Sequence, residues 1–221
     1  FSCAFKKVIP SVLRIASGHK VGNKFIPSRV GSGIVWGKEH YIVTNAHVVE
    51  RNAILRARTY ERHVIKLTVI GIDKNLDLAL LAPINSKDLA NIPPISLAQK
   101  EALPGNWVAA IGHPYQMSYS LSTGAVSALH RNDLLDDWKG TYPGFIQTDL
   151  TLNPGNSGGP LVNIYGEMLG LNTAVLGSGQ GLSFALPLSR LVPVIKELKR
   201  QGIFDRSYVG LQLRNVSYKK A

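Results

Sequence analysis

The run Leu152–Val162, LNPGNSGGPLV, constrains this chain more than any other stretch. Its centre, Gly155-Asn156-Ser157-Gly158-Gly159-Pro160, sets a serine among glycines and a proline, with apolar strand-like sequence on both sides. As structure alone it reads as a glycine-rich turn between two strands. As chemistry it reads as a nucleophile loop. A serine hydroxyl attacks a carbonyl only when a base removes its proton, and the oxyanion it creates needs backbone N–H groups aimed at one point. Glycine reaches the required φ values and puts no Cβ in the way. Gly155 and Ser157, with Asn156 between them, are the expected donors, and Gly158 and Gly159 keep the floor low for a substrate chain.

Two further stretches decide between these readings. Thr44-Asn45-Ala46-His47-Val48-Val49 follows the strand-like Tyr41-Ile42-Val43 and puts a histidine just past a strand end. Asp77 sits in Leu76-Asp77-Leu78-Ala79-Leu80-Leu81, a lone carboxylate in an apolar run read as a strand over Leu76–Leu81. The order His47, Asp77, Ser157 is that of chymotrypsin-like enzymes rather than of subtilisin or the α/β-hydrolases. Asp73 is a competitor for the carboxylate role, but it lies among turn residues and is expected to be exposed, whereas Asp77 is expected to be buried. Asp149 is a third carboxylate, close in sequence to the serine. Of six histidines, His113 in a Gly-His-Pro turn is the second candidate.

TNAHVV, DLALL and GNSGGPLVN, in this order and at these separations, resemble the HtrA/DegP family of serine proteases, from about Val8 to Leu213. The resemblance implies an all-β, trypsin-like double β-barrel with a C-terminal helix. It implies that His47, Asp77 and Ser157 form the triad, that no cofactor is used, and that the substrates are unfolded or regulatory polypeptides. A substrate backbone would add to the strand Leu171-Asn172-Thr173-Ala174-Val175. In chymotrypsin-like enzymes the residue six before the serine lines the primary pocket. Here that is Thr151, which is uncharged, so cleavage after small or medium apolar residues is expected. The resemblance also implies a homotrimer joined through the N-terminal arm, where Phe1 and Phe5 lie, and a periplasmic or cell-envelope location, with organelle lumens or the exterior behind it.

Composition excludes little and fits this reading. Hydrophobic residues make up 45% of the 221, ample for a core, and the 21 Gly and 12 Pro are scattered as many short strands and turns require. There is no apolar run long enough to span a membrane, and the first residues are too short an apolar run for a signal peptide. The single cysteine, Cys3, cannot form an internal disulfide. No HExxH, CxxC or other ligand cluster points to a metal. The charge of +11 is uneven: in residues 1–66 twelve Lys and Arg face three Glu, a balance of +9. A basic half could meet nucleic acid, but the cations are single and spaced through strand-like sequence, so no specific nucleic-acid partner is expected.

In chain order, residues 1–10 read as an N-terminal arm with a short helix. Residues 11–82 read as a first barrel, with Gly18–Arg29 as a loop and 53–58 and 62–72 as strands wet on one face. Proline-rich 83–105 reads as the connection between barrels. The second barrel is 106–187, with two strand candidates on either side of Thr123-Gly124 and a regulatory loop, by resemblance, at 130–144. Leu188, Leu191, Ile195 and Leu198 make one helical stripe, giving a closing helix over 188–202. The tail 203–221 resembles the entry to a PDZ domain at Tyr208–Leu211, but the ten residues after Leu211 cannot hold one. The whole is expected to be a single protease domain. A peptide-binding or chaperone-like module, using the same cleft with proteolysis weak or off, is the alternative from a different class.

Overall fold

The computed structural model describes residues 1–49, 53–113, 119–131, 144–175 and 181–206. Six strands close the first barrel: β1 (Val12–Val21), β2 (Lys24–Trp36), β3 (Tyr41–Asn45), β4 (Ile54–Arg58), β5 (Val64–Asp73) and β6 (Leu78–Pro83), in the order β1-β2-β3-β6-β5-β4. Six more close the second: β7 (Trp107–Gly112), β8 (Ser120–Arg131), β9 (Phe145–Thr148), β10 (Pro160–Asn163), β11 (Met168–Val175) and β12 (Ser183–Pro187), in the order β10-β11-β12-β9-β8-β7. All named pairs are antiparallel. With the C-terminal helix α2 (Leu188–Gln201), this is the expected trypsin-like double barrel.

Side-chain alternation explains how three cores arise from two barrels. Leu13, Ile15, Val35, Ile42, Leu55, Ile65, Leu67 and Leu81 fill the first barrel. Val108, Ala110, Val126, Ile146, Leu161 and Leu169 fill the second. The opposite faces of the same strands carry Val12, Ile34, Val43, Leu78, Leu80, Ala109 and Ile111, which join Phe184 and the inner face of α2 in a third core at the seam between the barrels. Strands at the seam are therefore buried on both faces and read as unbroken apolar runs, as in Leu78–Leu81. Strands β4 and β5 turn one face to water and alternate.

Two sequence expectations are corrected. Gly18–Arg29 is not a loop but the end of the β1–β2 hairpin, which closes at Gly22-Asn23 with Gly22 at φ 58°. Its tip is exposed on both faces, so no apolar alternation marks it as strand. Nor do two strands flank Thr123-Gly124: β8 runs straight through. Gly124 marks a close approach rather than a turn, since a Cβ there would lie 2.2 Å from Asp149 Oδ1. The expected regulatory loop at 130–144 falls mainly on 132–143, and the PDZ-like entry at Tyr208–Leu211 falls on 207–221, both outside the described residues.

Helix α1 (Ser2–Val8) lies against the second barrel, where Val8 and Ala4 approach Gly166 and Lys7 Nζ donates to the Tyr165 carbonyl at 3.0 Å. Helix α2 buries Leu191, Val194, Ile195 and Leu198 and ends at Gly202, φ 77°, whose N–H closes on the Leu198 carbonyl as a left-handed cap should. Leu198 is fully buried and lies over Gly71 of β5, so α2 clamps the seam. Truncating Leu198→Ala is expected to cost about 2–5 kcal/mol, measured as a lower urea midpoint with an unchanged slope.

Candidate active site

His47 sits in a single 3-10 turn, Ala46–Val48, immediately after β3. Asp77 precedes β6, not within it as the sequence suggested, and takes φ 52°. That left-handed conformation is uncommon for a residue with a Cβ, though Asp tolerates it better than most. It is held by the start of β3–β6 pairing: the Asp77 carbonyl accepts from Ala46 N at 3.0 Å and from Asn45 Nδ2 at 2.9 Å. The carboxylate then faces His47. Oδ1 accepts the His47 backbone N–H at 2.8 Å, and Oδ2 lies 2.6 Å from His47 Nδ1. A carboxylate can only accept, so Nδ1 carries the proton and Nε2 is left as a base. Thr173 Oγ1 also donates to Oδ2, at 3.1 Å, and itself accepts from Asn45 Nδ2.

Ser157 faces His47 across an open cleft of about 650 Å³, lined by Arg29, Val30, His47 and Val48 from the first barrel and by Leu152–Gly155, Ser157 and Thr173 from the second. Among the described residues Ser157 Oγ has no hydrogen-bond partner, so it shares the cleft with His47 without a bond to it. Such contacts are commonly loose without substrate. The Gly155 and Ser157 N–H groups likewise have no partner among the described residues, whereas Asn156 N–H is engaged by the Asn153 carbonyl at 3.0 Å. Asn156 is buried, with its Oδ1 beside Gly112 rather than in the cleft. The donors available to an oxyanion are thus Gly155 and Ser157. Gly155 has φ 107° and Gly158 φ 82°. At Gly158 a Cβ would lie 2.1 Å from the Ser32 carbonyl, so only glycine fits.

The specificity residues are placed unevenly. Thr151 is exposed and does not line the cleft; Leu152, half buried, does. The buried side chain of Leu150 anchors the segment inward and turns its neighbour outward. Leu171 and Asn172 point into the protein and are buried. Thr173 is the bulge in the β11–β12 ladder, and Ala174 and Val175 pair with β12 alone; β10 stops at the Pro160↔Leu171 pair, so among the described residues the other edge of β11 is open from Thr173 to Val175. Asp73 is the main correction: it is 4% exposed rather than solvated, and Arg206 donates to it. Nothing local in SRVGSG marks Arg29 as a cleft residue. In the cleft its guanidinium donates to the His47 carbonyl at 2.7 Å. Asp149 is occupied elsewhere, accepting from Ala125 N.

The family model described as a trypsin-like peptidase domain matches residues 31–171. The chain belongs to the trypsin-like peptidase domain family, on its HtrA/DegP branch. It is 36% identical over 206 residues to a probable periplasmic serine endoprotease, DegP-like, of Halomonas elongata, covering 91% of this chain and 41% of that protein. The chain thus spans about two fifths of the length of that relative. It superposes on the crystal structure of a serine endoprotease from Yersinia pestis with a TM-score of 0.81 at 30% identity, covering 96% of this chain and 71% of the other. It superposes on the HtrA-type protease AlgW with a tripeptide at TM-score 0.79 and 30% identity, covering 91% and 64%.

His113, the second candidate histidine, belongs to the seam beneath the glycine-rich loop that carries Ser157. It is buried, its N–H donates to Ser32 Oγ at 3.1 Å, and its ring packs 4.2 Å from that of Tyr119. Burial first, and the Arg14 charge second, push its pKa down from 6.5 to about 4. The neutral ring is thus favoured by folding, while the unfolded chain binds a proton below pH 6.5. Stability is complete above that value and is lost as pH falls toward 4, by about 3 kcal/mol. Urea midpoints measured from pH 7 to pH 4 are expected to decline, and the His113→Gln form is expected to lack this part of the decline.

Proposed function

We propose that the chain is a serine endopeptidase unit, one protease domain throughout, that cleaves unfolded or regulatory polypeptides after small or medium apolar residues. The observation that carries the reading is the Asp77 carboxylate 2.6 Å from His47 Nδ1, in the cleft where Ser157 and unengaged Gly155 and Ser157 N–H groups also lie. His47 Nε2 takes the Ser157 proton, and Oγ attacks the substrate carbonyl. The two N–H groups receive the oxyanion. His47 then protonates the leaving amine, and water, activated by the same imidazole, releases the acyl group. Asp77 fixes the tautomer and stabilises the imidazolium. The acyl half of the substrate adds to the open edge of β11, and Leu152 supports an apolar preference next to the scissile bond.

The partner and location follow the same reading. An apolar face carries Leu103, Trp107, Ile164 and Tyr165, between 49% and 68% exposed, and α1 docks beside it through Lys7 and Tyr165. A homotrimer formed through this face and the N-terminal arm would cover it. The name of the Halomonas relative favours the periplasm or cell envelope. The lack of a Ser157–His47 hydrogen bond favours one second reading, a latent protease acting as a peptide-binding module.

Cleavage of reduced casein, with Ser157→Ala in parallel, separates the two. Wild type is expected to cut, with turnover falling by about 10⁶ in Ser157→Ala and about 10⁴ in Asp77→Asn. Mapped cut sites should follow apolar residues. Binding of casein without cleavage by folded wild type would sink the protease reading in favour of the module. Sedimentation is expected to give three times the 24.0 kDa chain mass, and a Trp107→Glu form should run as a monomer.

A further inference from the structure

Asp73 ends β5, and its side chain is 2% exposed. Oδ1 accepts the N–H groups of Asn75 at 2.9 Å and Leu76 at 3.2 Å, so one carboxylate oxygen shapes the turn that leads to Asp77. Oδ2 accepts from Arg206 Nη2, 133 residues later in the chain. Among the described residues Arg206 is the only cation paired with Asp73. Arg206 is itself held in place: its guanidinium lies 4.7 Å from the centre of the Phe204 ring, which packs on the seam core. The stretch after α2 meets β5 at a second point, where Gly71 lies so close to the Gly202 carbonyl that a Cβ would be 2.5 Å away.

The two halves of the Asp77 turn are held unequally. After Asp77, the β3–β6 ladder begins, and the Asp77 carbonyl has two donors. Before it, the contact that would close the turn, Asp77 N–H to the Lys74 carbonyl, is 3.4 Å long. The Asp73 carboxylate is therefore the firmest hold on the leading half, and a buried carboxylate keeps its place only while its charge is matched. We propose that Arg206 is a positioning residue for Asp77: the ion pair with Asp73 fixes the turn that presents Asp77 to His47. The proposal rests on the reading of Asp77 and His47 as catalytic partners. It makes the segment after α2 part of what sets the rate, through a contact far from the substrate.

The test uses the full 221-residue chain with Arg206→Ala, Arg206→Gln, Arg206→Lys and Asp73→Asn. Each form is checked for folding by circular dichroism, then read in two ways: kcat and KM on a peptide with an apolar residue before the scissile bond, and the low-field proton resonance of His47 Nδ1. In Arg206→Ala, kcat is expected to fall by about 10²-fold, as for a small misplacement of a reacting group, with KM within about twofold. The His47 resonance should broaden or move upfield. Arg206→Lys, which returns a charge to a single-oxygen contact, should recover most of both signals, and Arg206→Gln should not. Wild-type kcat and resonance in folded Arg206→Ala would overturn the proposal, as would a change in KM alone. If the Ala form fails to fold, equal behaviour of the Lys and Gln forms would overturn it. If wild type does not cleave, the protease reading fails, and the resonance still decides whether Arg206 positions Asp77.

Discussion

The Ser32 N–H of β2 donates to the Ser157 carbonyl at 2.8 Å, and the Ser32 hydroxyl donates to the Gly155 carbonyl at 2.8 Å. The Ser32 carbonyl in turn accepts from Thr44 Oγ1 of β3 at 2.7 Å. One residue of the first barrel thus fixes both carbonyls that flank Asn156 in the second. The Gly155 and Ser157 N–H groups belong to the neighbouring peptide units, those of the Pro154 and Asn156 carbonyls, and have no partner among the described residues. The whole arrangement depends on this stitch across the seam. It also explains the absolute demand for glycine at 158, where the Ser32 carbonyl occupies the space of a side chain. Ser32, Thr44 and Gly155 are buried, so neither barrel can shift without stranding polar groups away from water.

Much of this was legible in the sequence because strands advertise their burial. Runs such as Leu78–Leu81 are apolar throughout since both faces are covered, and the stretches around Ala57 and Leu67 alternate since one face is wet. The glycine-rich run and the histidine after a strand stood in short motifs, and so did the Asp77 carboxylate, though the motif places it within the strand rather than before it. What stayed hidden is tertiary in origin. The β1–β2 hairpin tip has no covered face to write a pattern, and Gly124 signals a neighbour, Asp149, rather than a turn. Counting back six residues from Ser157 points to Thr151, but a buried Leu150 decides which way the next side chains face, and Leu152 is the one brought to the cleft.

Asp73 and Asp77 show the same limit more sharply. From local sequence the first looks like an exposed turn residue and the second like a buried strand residue. In the structure Asp73 is the more deeply buried, and Asp77 lies in a turn with φ 52°. The partner that makes burial of Asp73 tolerable is Arg206, far beyond any sequence window, and the partners that hold Asp77 in a left-handed conformation are Asn45 at the end of β3 and Ala46 in the turn that follows it. Local strain of this kind persists only where the surroundings over-determine it. Here they do so through backbone and side-chain bonds to a residue whose carboxylate must face one way only, toward His47.

A closed barrel has no strand edges to offer, yet a protease that reads extended polypeptide needs one. The second barrel meets both demands with strands of unequal length. β10 has four residues and β11 eight. Their pairing runs out near Asn172, where the last bonds are Gly158 N–H to the Asn172 carbonyl and Asn172 N–H to the Gly159 carbonyl. Beyond that point the chain of β10 is replaced, on its N-terminal side, by the glycine-rich turn that Ser32 draws across the seam. The open edge at Thr173–Val175 and the unengaged N–H groups of Gly155 and Ser157 are therefore two consequences of one event, the departure of the chain from the ladder. Under the proposed mechanism, a substrate held by that edge would have its carbonyl delivered to donors made by the same break.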